Sequence, residues 1–271
     1  MASASTQSNT ALETIDLEAG FVSRFDCNGI TLHAYCTNDA MNDVVHVLEK
    51  SGRAVVVEQP NFTKNITELE GYLASRGLVV EGVIAPYHMP GCFLPDVPRY
   101  TTRSAEYYGR HGKGKRAVDG FMQAFAGAFD GSMLPTTGFI EDDRFTLAGI
   151  EFEVVPTADA FDLVVEEAGL IYTHLLGHDT HSIVESVAQA QASIDLLNGY
   201  VSRELPMALS SHHGPETLDD VREKAAYLVA LVSIASAAPD AESFKSRMRA
   251  AFPGLGGEHY LDMTAQSLFA S

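Results

Sequence analysis

The side chains best able to do chemistry in this chain are its histidines, and they are unevenly spread. Six of the ten, His88, His174, His178, His181, His212 and His213, lie in short stretches rich in Gly, Pro, Ser, Thr and Asp. Imidazole changes charge near neutral pH, so such residues can act as general bases or metal ligands. The stretch Gly82–Asp96 is the most suggestive. It begins as an apolar run and breaks into a Pro- and Gly-rich loop that carries His88, Cys92 and Asp96. A thiol beside an imidazole base is a nucleophile in waiting, with Cys92 attacking and His88 or His213 taking the proton. A set of His174, His178, His181 and His213, with Asp179, would suit zinc, iron or manganese. The plainer reading makes these residues polar pocket or surface side chains, Cys92 a core thiol and Asp96, after Pro95, a turn cap. Gly109–Lys115 matches most of a phosphate-binding loop. Arg116 replaces the Ser or Thr that the loop requires and no buried strand precedes it, which excludes nucleotide hydrolysis there. What remains is a basic island of Arg110, Lys113, Lys115 and Arg116, with Tyr100, Tyr107 and Tyr108 nearby.

These residues need elements to hold them. Phe21 to Cys36 alternates around Asn28-Gly29 and predicts a hairpin. Val44–Leu48, Ser51-Gly52 and Ala54–Val57 predict a second one, and Val55–Glu58 reads as a buried strand stopped by Pro60. Asn65–Glu68 has the spacing of a capping box opening a helix that Gly77 closes. Val79–Ala85 is the strand feeding the His88 loop. Residues 97–136 are less regular, with a short helix over Phe121–Phe129. Arg144–Val155 has strand patterning broken at Gly149, and Leu163–Thr173 predicts a hairpin turning at Glu167–Gly169. Ser182–Glu185 reads as another capping box at the head of a helix through Val201. Met207–Ser210 is a short strand, Thr217–Ala237 a long helix, and Ala241–Phe252 the terminal helix. Strands interleaved with helices imply a layered α/β (α+β) domain.

Composition bounds the function. With 36 acidic and 18 basic side chains the net charge is −18, so nucleic acid and anionic membrane surfaces are not expected partners. Three cysteines make no disulfide framework. Residues 1–17 read as a flexible leader without a secretory pattern, and no apolar run reaches the ~18 residues of a membrane span. A cytoplasmic protein is expected, with a small-molecule ligand or substrate, and a homo-oligomer is compatible with this.

The order of motifs resembles the metallo-β-lactamase-fold superfamily. The run AVVVEQPNFTKNITELEGYLASRGLVVEGVIAPYHMPG is similar to the family's opening half, where a strand ends in Ile-Asp-x-Gly and the next runs into Thr-His-x-His-x-Asp-His. RFTLAGIEFEVVPTADAFDLVVEEAGLIYTHLLGHDTH resembles the second half, and ALSSHHGPETLDDVREKAAYL its closing Pro-Gly-His-Gly-Pro and helix. The resemblance spans about residues 20–260 and implies an αββα sandwich as a single domain over 18–271. It also implies that the metal motif is degenerate. Tyr87, Met89, Gly91 and Cys92 stand at the first motif, Ala158 at the second, and Leu175 at the bridging Asp, with His174 before it. Glu58 holds the place of the strand-end Asp, and His213 alone keeps its ligand identity.

The family's dinuclear zinc centre is therefore not expected, and the cofactor is left unknown. The expected site is a retained pocket of Glu58, Tyr87, Asp96, His174, His178, His181 and His212, with His88, Cys92 and His213 as catalytic candidates. It would bind a ligand or do metal-free chemistry. The alternatives are a metallohydrolase of ester, lactone or thioester type on an unusual His-rich set, and a non-catalytic structural or regulatory protein.

Overall fold

The computed structural model describes residues 11–174 and 176–270. The chain divides into two compact units. The first runs to His174 and takes back Leu209–Pro215; the second comprises the remainder.

The first unit is built on an eight-stranded sheet in sequence order. Its strands are β1 (Glu13–Asp16), β2 (Phe21–Cys27), β3 (Ile30–Cys36), β4 (Val44–Lys50), β5 (Arg53–Val57), β6 (Val79–Ile84), β7 (Arg99–Thr101) and β8 (Gly138–Phe139). Strands β1 to β5 pair antiparallel and β5 to β8 parallel. Both predicted hairpins form, with Cys27 opposite Ile30 and Lys50 opposite Arg53. Helix α1 (Thr63–Ser75) supplies the crossover from β5 to β6. Its Ile66, Leu69 and Leu73 share one buried cluster with Val45, Val47, Val56 and Val83 of the sheet.

A second, antiparallel ladder follows: β9 (Arg144–Leu147), β10 (Ile150–Pro156), β11 (Phe161–Val165) and β12 (Leu170–Tyr172). The predicted turns fall at Gly149 and Gly169, both with positive φ. The returning segment joins at the end of β12, where the Thr173 N–H donates to Leu209 O at 2.9 Å.

In the second unit, Met207 and Ala208 of β13 (Met207–Leu209) pair with β14 (Glu216–Thr217). Its helices are α4 (Val187–Ser202), α5 (Leu218–Ala237), α6 (Ala241–Ala251) and α7 (Glu258–Leu268). Ile194 and Leu197 of α4 and Val221, Leu228 and Leu231 of α5 are buried. Thr217 and Asp220 close a reciprocal capping box on α5.

Several expectations change. Residues 13–16 are a paired strand rather than part of a loose leader; the start of that leader, residues 1–10, lies outside the described residues. Neither upstream capping box exists. Helix α1 begins at Thr63, because Asn65 instead donates to Tyr35 Oη and Thr37 O, and Glu68 accepts the Ala19 and Gly20 N–H groups. Helix α4 is capped by Ser186, not Ser182. The stretch taken as irregular forms α2 (Arg103–His111), capped by Thr102, and α3 (Lys113–Phe125). The basic island is thus helical surface, with Arg110 on Glu106 and Lys115 on Asp119 at i,i+4 spacing. Among the described residues no helix is long and apolar enough to cross a membrane.

Candidate metal centre

The site is assembled within the first unit from five places in the sequence. The first is the end of β5. Glu58 is fully buried and sits at φ 65°, a left-handed conformation that costs a non-glycine residue on the order of 1 kcal/mol or more. Its carboxylate accepts the N–H of Tyr87 at 3.1 Å and of His88 at 2.7 Å. Gln59 is equally buried. Its amide donates to Met89 O at 2.8 Å and Pro90 O at 2.7 Å, with Gly91 O sharing at 3.2 Å. Consecutive residues therefore hold the loop after β6 by its N–H groups on one side and its carbonyls on the other. His88 is fixed in place from the backbone.

His174 follows β12, and His212 lies on the returning segment beside it. The Ser210 hydroxyl and the Ser211 N–H both donate to His174 O, at 3.0 and 3.2 Å. His46 Nε2 donates to Ser210 O at 2.9 Å, and Val44 N–H donates to Ser211 O at 2.6 Å. The fifth is the turn before β4, which carries Asp43. Thr37 secures this turn by donating its N–H and its hydroxyl to Asp43 O.

His88, His174 and His212 form an equilateral triangle, each pair of ring centroids 5.1 Å apart. One ring nitrogen of each lies within 4.8 Å of those of the other two. The Nδ1 atoms lie near a hydroxyl or a carboxylate. His174 Nδ1 is 3.0 Å from Ser211 Oγ. His212 Nδ1 approaches Asp43 Oδ1 at 3.1 Å and His88 Nδ1 approaches Oδ2 at 3.9 Å. Asp43 is buried and its Oδ2 also accepts from Asn61 Nδ2 at 3.2 Å. For His174, whose Nδ1 is engaged by Ser211, Nε2 is the nitrogen left for the centre. Neutral imidazoles whose ring nitrogens are oriented by a carboxylate or hydroxyl are the usual supports of a metal site. The donor set fits zinc, iron or another imidazole-binding divalent ion. Tyr87 stacks on His174 at 4.2 Å with planes 13° apart, and its hydroxyl lies 2.7 Å from Thr157 Oγ1.

The electrostatics follow from burial and this geometry. Burial, with His212 and His88 alongside, holds His174 well below the ordinary imidazole value. Burial also pulls His212 down, but the hydrogen bond and charge of Asp43 outweigh it and the net shift is upward. Asp43 itself is pushed up by burial and pulled further down by His88 and His212, ending below its ordinary value. Burial and the Glu58 carboxylate hold the Tyr172 phenol well above its usual range.

Of the residues singled out from sequence, Glu58, Tyr87, His88, His174 and His212 come together here. Among the described residues, His213 is not part of the triangle: its neighbour His212 takes the place. The set of His174, His178, His181 and His213 is not the one that gathers. His178 Nδ1 meets Glu216 Oε1 at 2.8 Å and Asp220 Oδ1 at 3.5 Å in the second unit. His181 Nδ1 meets Tyr227 Oη at 3.0 Å. Cys92 is exposed beyond the turn at Gly91, where its N–H is held by Asp130 at 2.7 Å, whereas the His88 ring is buried against Asp43. The expected thiol–imidazole pair is therefore not assembled. Asp96 is exposed on the turn closed by Val97 N–H to Leu94 O. Asp43, Tyr172 and Ser211 were not anticipated. An Asp in an Asn-Asp turn, a strand Tyr and a Ser carry no chemical signal until the fold brings them to a histidine.

No protein-family model matches the sequence, and no curated protein matches it. A metallo-β-lactamase from Erythrobacter litoralis is similar at a TM-score of 0.57 and 11% identity, over 80% of this chain and all of that one. A metallo-β-lactamase family protein from Thermus thermophilus is similar at 0.56 and 15% identity, over 87% of this chain and 90% of the other. The stereoselective inverting sec-alkylsulfatase Pisa1 from Pseudomonas sp. is similar at 0.58 and 12% identity over 96% of this chain, which spans 50% of the alkylsulfatase. Two β-sheets with helices in this order define an α+β sandwich. That sandwich is the metallo-β-lactamase fold, carried here by a sequence that has diverged far from these structures.

Proposed function

We propose that the chain is a metal-dependent hydrolase of a small molecule, of the ester, lactone or thioester type, that works with a single ion on His88, His174 and His212. The observation that carries this reading is the triangle of imidazoles, with Ser211 beside His174 Nδ1 and Asp43 beside His212 Nδ1. Three ring nitrogens gathered within 4.8 Å of one another are close enough to share one cation. Three imidazoles with one open position are a recurrent arrangement for a reactive ion. When bound, such an ion supplies Lewis acidity and makes water a nucleophile near neutral pH. The chain's residues supply the rest: Asp43 and Ser211 orient the imidazoles, and Tyr87 covers one side of His174 and narrows the approach to it. A second ion of the family type is not part of the reading. Tyr87, Met89, Gly91 and Cys92 occupy the first motif, and Met and Gly offer no replacement for imidazole and carboxylate. A cytoplasmic setting, as the cysteine usage suggests, belongs to the same reading.

Elemental analysis of protein purified without chelator tests it. About one divalent ion per chain is expected, with loss of the ion and of esterase activity in His212→Ala. Two ions per chain, or ester hydrolysis undiminished by chelator and by His212→Ala, would overturn it.

A further inference from the structure

Four side chains of the first unit form a hydrogen-bonded line that ends on His174. The Tyr172 hydroxyl donates to Glu58 Oε1 and lies 2.7 Å from Ser211 Oγ. Ser211 Oγ lies 3.0 Å from His174 Nδ1. Tyr172 and Ser211 are both buried, so these contacts are made away from bulk water.

The direction of each hydrogen in this line follows from counting donors. The two oxygens of Glu58 already face the N–H groups of Tyr87 and His88. A hydroxyl on either oxygen would oppose an amide hydrogen, so the Glu58 end accepts. A phenol has one hydrogen, and that of Tyr172 goes to Glu58. The 2.7 Å contact between Tyr172 and Ser211 must then use the serine hydrogen. This leaves the Ser211 oxygen with lone pairs only, and its partner at 3.0 Å, Nδ1 of His174, must bring the proton.

We propose that Tyr172 and Ser211 are positioning residues that lock His174 in its Nδ1–H tautomer, so that Nε2 is the bare nitrogen turned to the centre of the triangle. In water the commoner neutral tautomer of histidine carries its proton on Nε2, and that proton would point into the centre and block it. The lock is anchored at Glu58, the same residue whose carboxylate holds the backbone of His88. One buried carboxylate thus places one ligand by its main chain and sets the tautomer of another through two hydroxyls. The tautomer lock stands on hydrogen-bond geometry alone; its consequence for affinity rests on the metal reading above.

Nitrogen-15 long-range correlation spectra of the metal-free full-length protein test the lock directly. His174 is expected to show a protonated Nδ1 and a bare Nε2. Ser211→Ala should move it toward the Nε2–H form, and Ser211→Thr, which keeps the hydroxyl, should restore Nδ1–H. Tyr172→Phe should also move it, although the serine remains, because the serine hydrogen is then released to turn toward Nδ1. Zinc affinity by chelator competition should fall about 10- to 100-fold in Ser211→Ala and recover in Ser211→Thr. An Nε2–H form of His174 in the unaltered protein would overturn the proposal, as would an Nδ1–H form unmoved by both Ser211→Ala and Tyr172→Phe. An Nδ1–H form that shifts as described in a protein that takes up no zinc supports the lock and removes the metal reading instead.

Discussion

Asp43 concentrates the residue-scale argument, because two imidazoles turn to one buried carboxylate. Asp43→Asn keeps the shape and the contact with Asn61 within reach but removes the charge that raises His212. With burial left as the main influence, the His212 pKa should move below its value in the unaltered protein, which histidine NMR titration of the chelated protein will register. Metal affinity in the same variant should fall about 10- to 100-fold; unchanged affinity would show that Asp43 does not support the ligands. The sequence made the histidines visible because imidazole is rare and reactive. It could not separate His212 from His213, since adjacent residues on an irregular segment differ in direction and not in type. Asp43 stayed hidden because Asn42-Asp43 before an apolar strand is an ordinary turn. His46 stayed hidden because it lies inside an apolar strand, where it serves Ser210 O.

At the scale of elements, strands and turns were far more legible than the loops that carry the ligands. Asn28-Gly29 and Ser51-Gly52 set two hairpins, because positive φ at these pairs leaves few alternatives. The capping boxes misled, because a polar side chain caps a helix only when nothing further off competes for it. Asn65 and Glu68 were taken up by β3 and by the segment entering β2. Residues 103–125 were obscured by three glycines and four lysines and arginines between Gly109 and Arg116, yet two helices pass through, broken at Gly112. Pro86, Pro90 and Pro95 each fix one backbone angle in the loop after β6; its tie to the end of β5 through Gln59 could not be read from local composition. Gln59→Ala leaves buried carbonyls of Met89 and Pro90 without a donor, which should cost about 1–3 kcal/mol. Urea unfolding measures this loss, and loosening of His88 should lower metal affinity in parallel. Gly91 offers an independent check, since at φ 115° an added Cβ would meet Pro60 O at 2.7 Å. Gly91→Ala should be destabilised by a similar amount, and a fully stable variant would contradict the tight approach of this loop to β5.

For the whole molecule, the histidines make stability depend on pH in two opposed ways. His33, His46, His174 and His181 are held below the ordinary value of 6.5 chiefly by burial. Between their folded values and 6.5 the unfolded chain binds more protons, so their contribution is complete above 6.5 and is lost as pH falls. His46 is fully buried and sits at about 4, which makes its share alone about 3 kcal/mol. His178 is raised chiefly by its hydrogen bond to Glu216, and His212 is raised where Asp43 outweighs burial. Here the folded chain binds more protons, so their contribution is complete below 6.5 and is lost as pH rises through their folded values. Asp43, held below its ordinary 3.8, loses its share only at still lower pH. The two histidine windows meet near pH 6.5, and the histidine part of the stability should peak there in the chelated protein. Urea midpoints measured from about pH 4 to 8 should rise to that region and then decline gently, before the buried Lys224, held at about 8, begins to add stability as pH rises further. His46→Gln, which keeps an N–H for Ser210 O, should flatten the acid side and leave the alkaline side as it was. A midpoint that does not fall between about pH 6.5 and 4, or an acid side unchanged by His46→Gln, would show that His46 is not held neutral in the core. Added zinc should flatten the alkaline side, since a ligating His212 gives up its proton on binding, and should steepen the acid side, since protons compete for the same nitrogens.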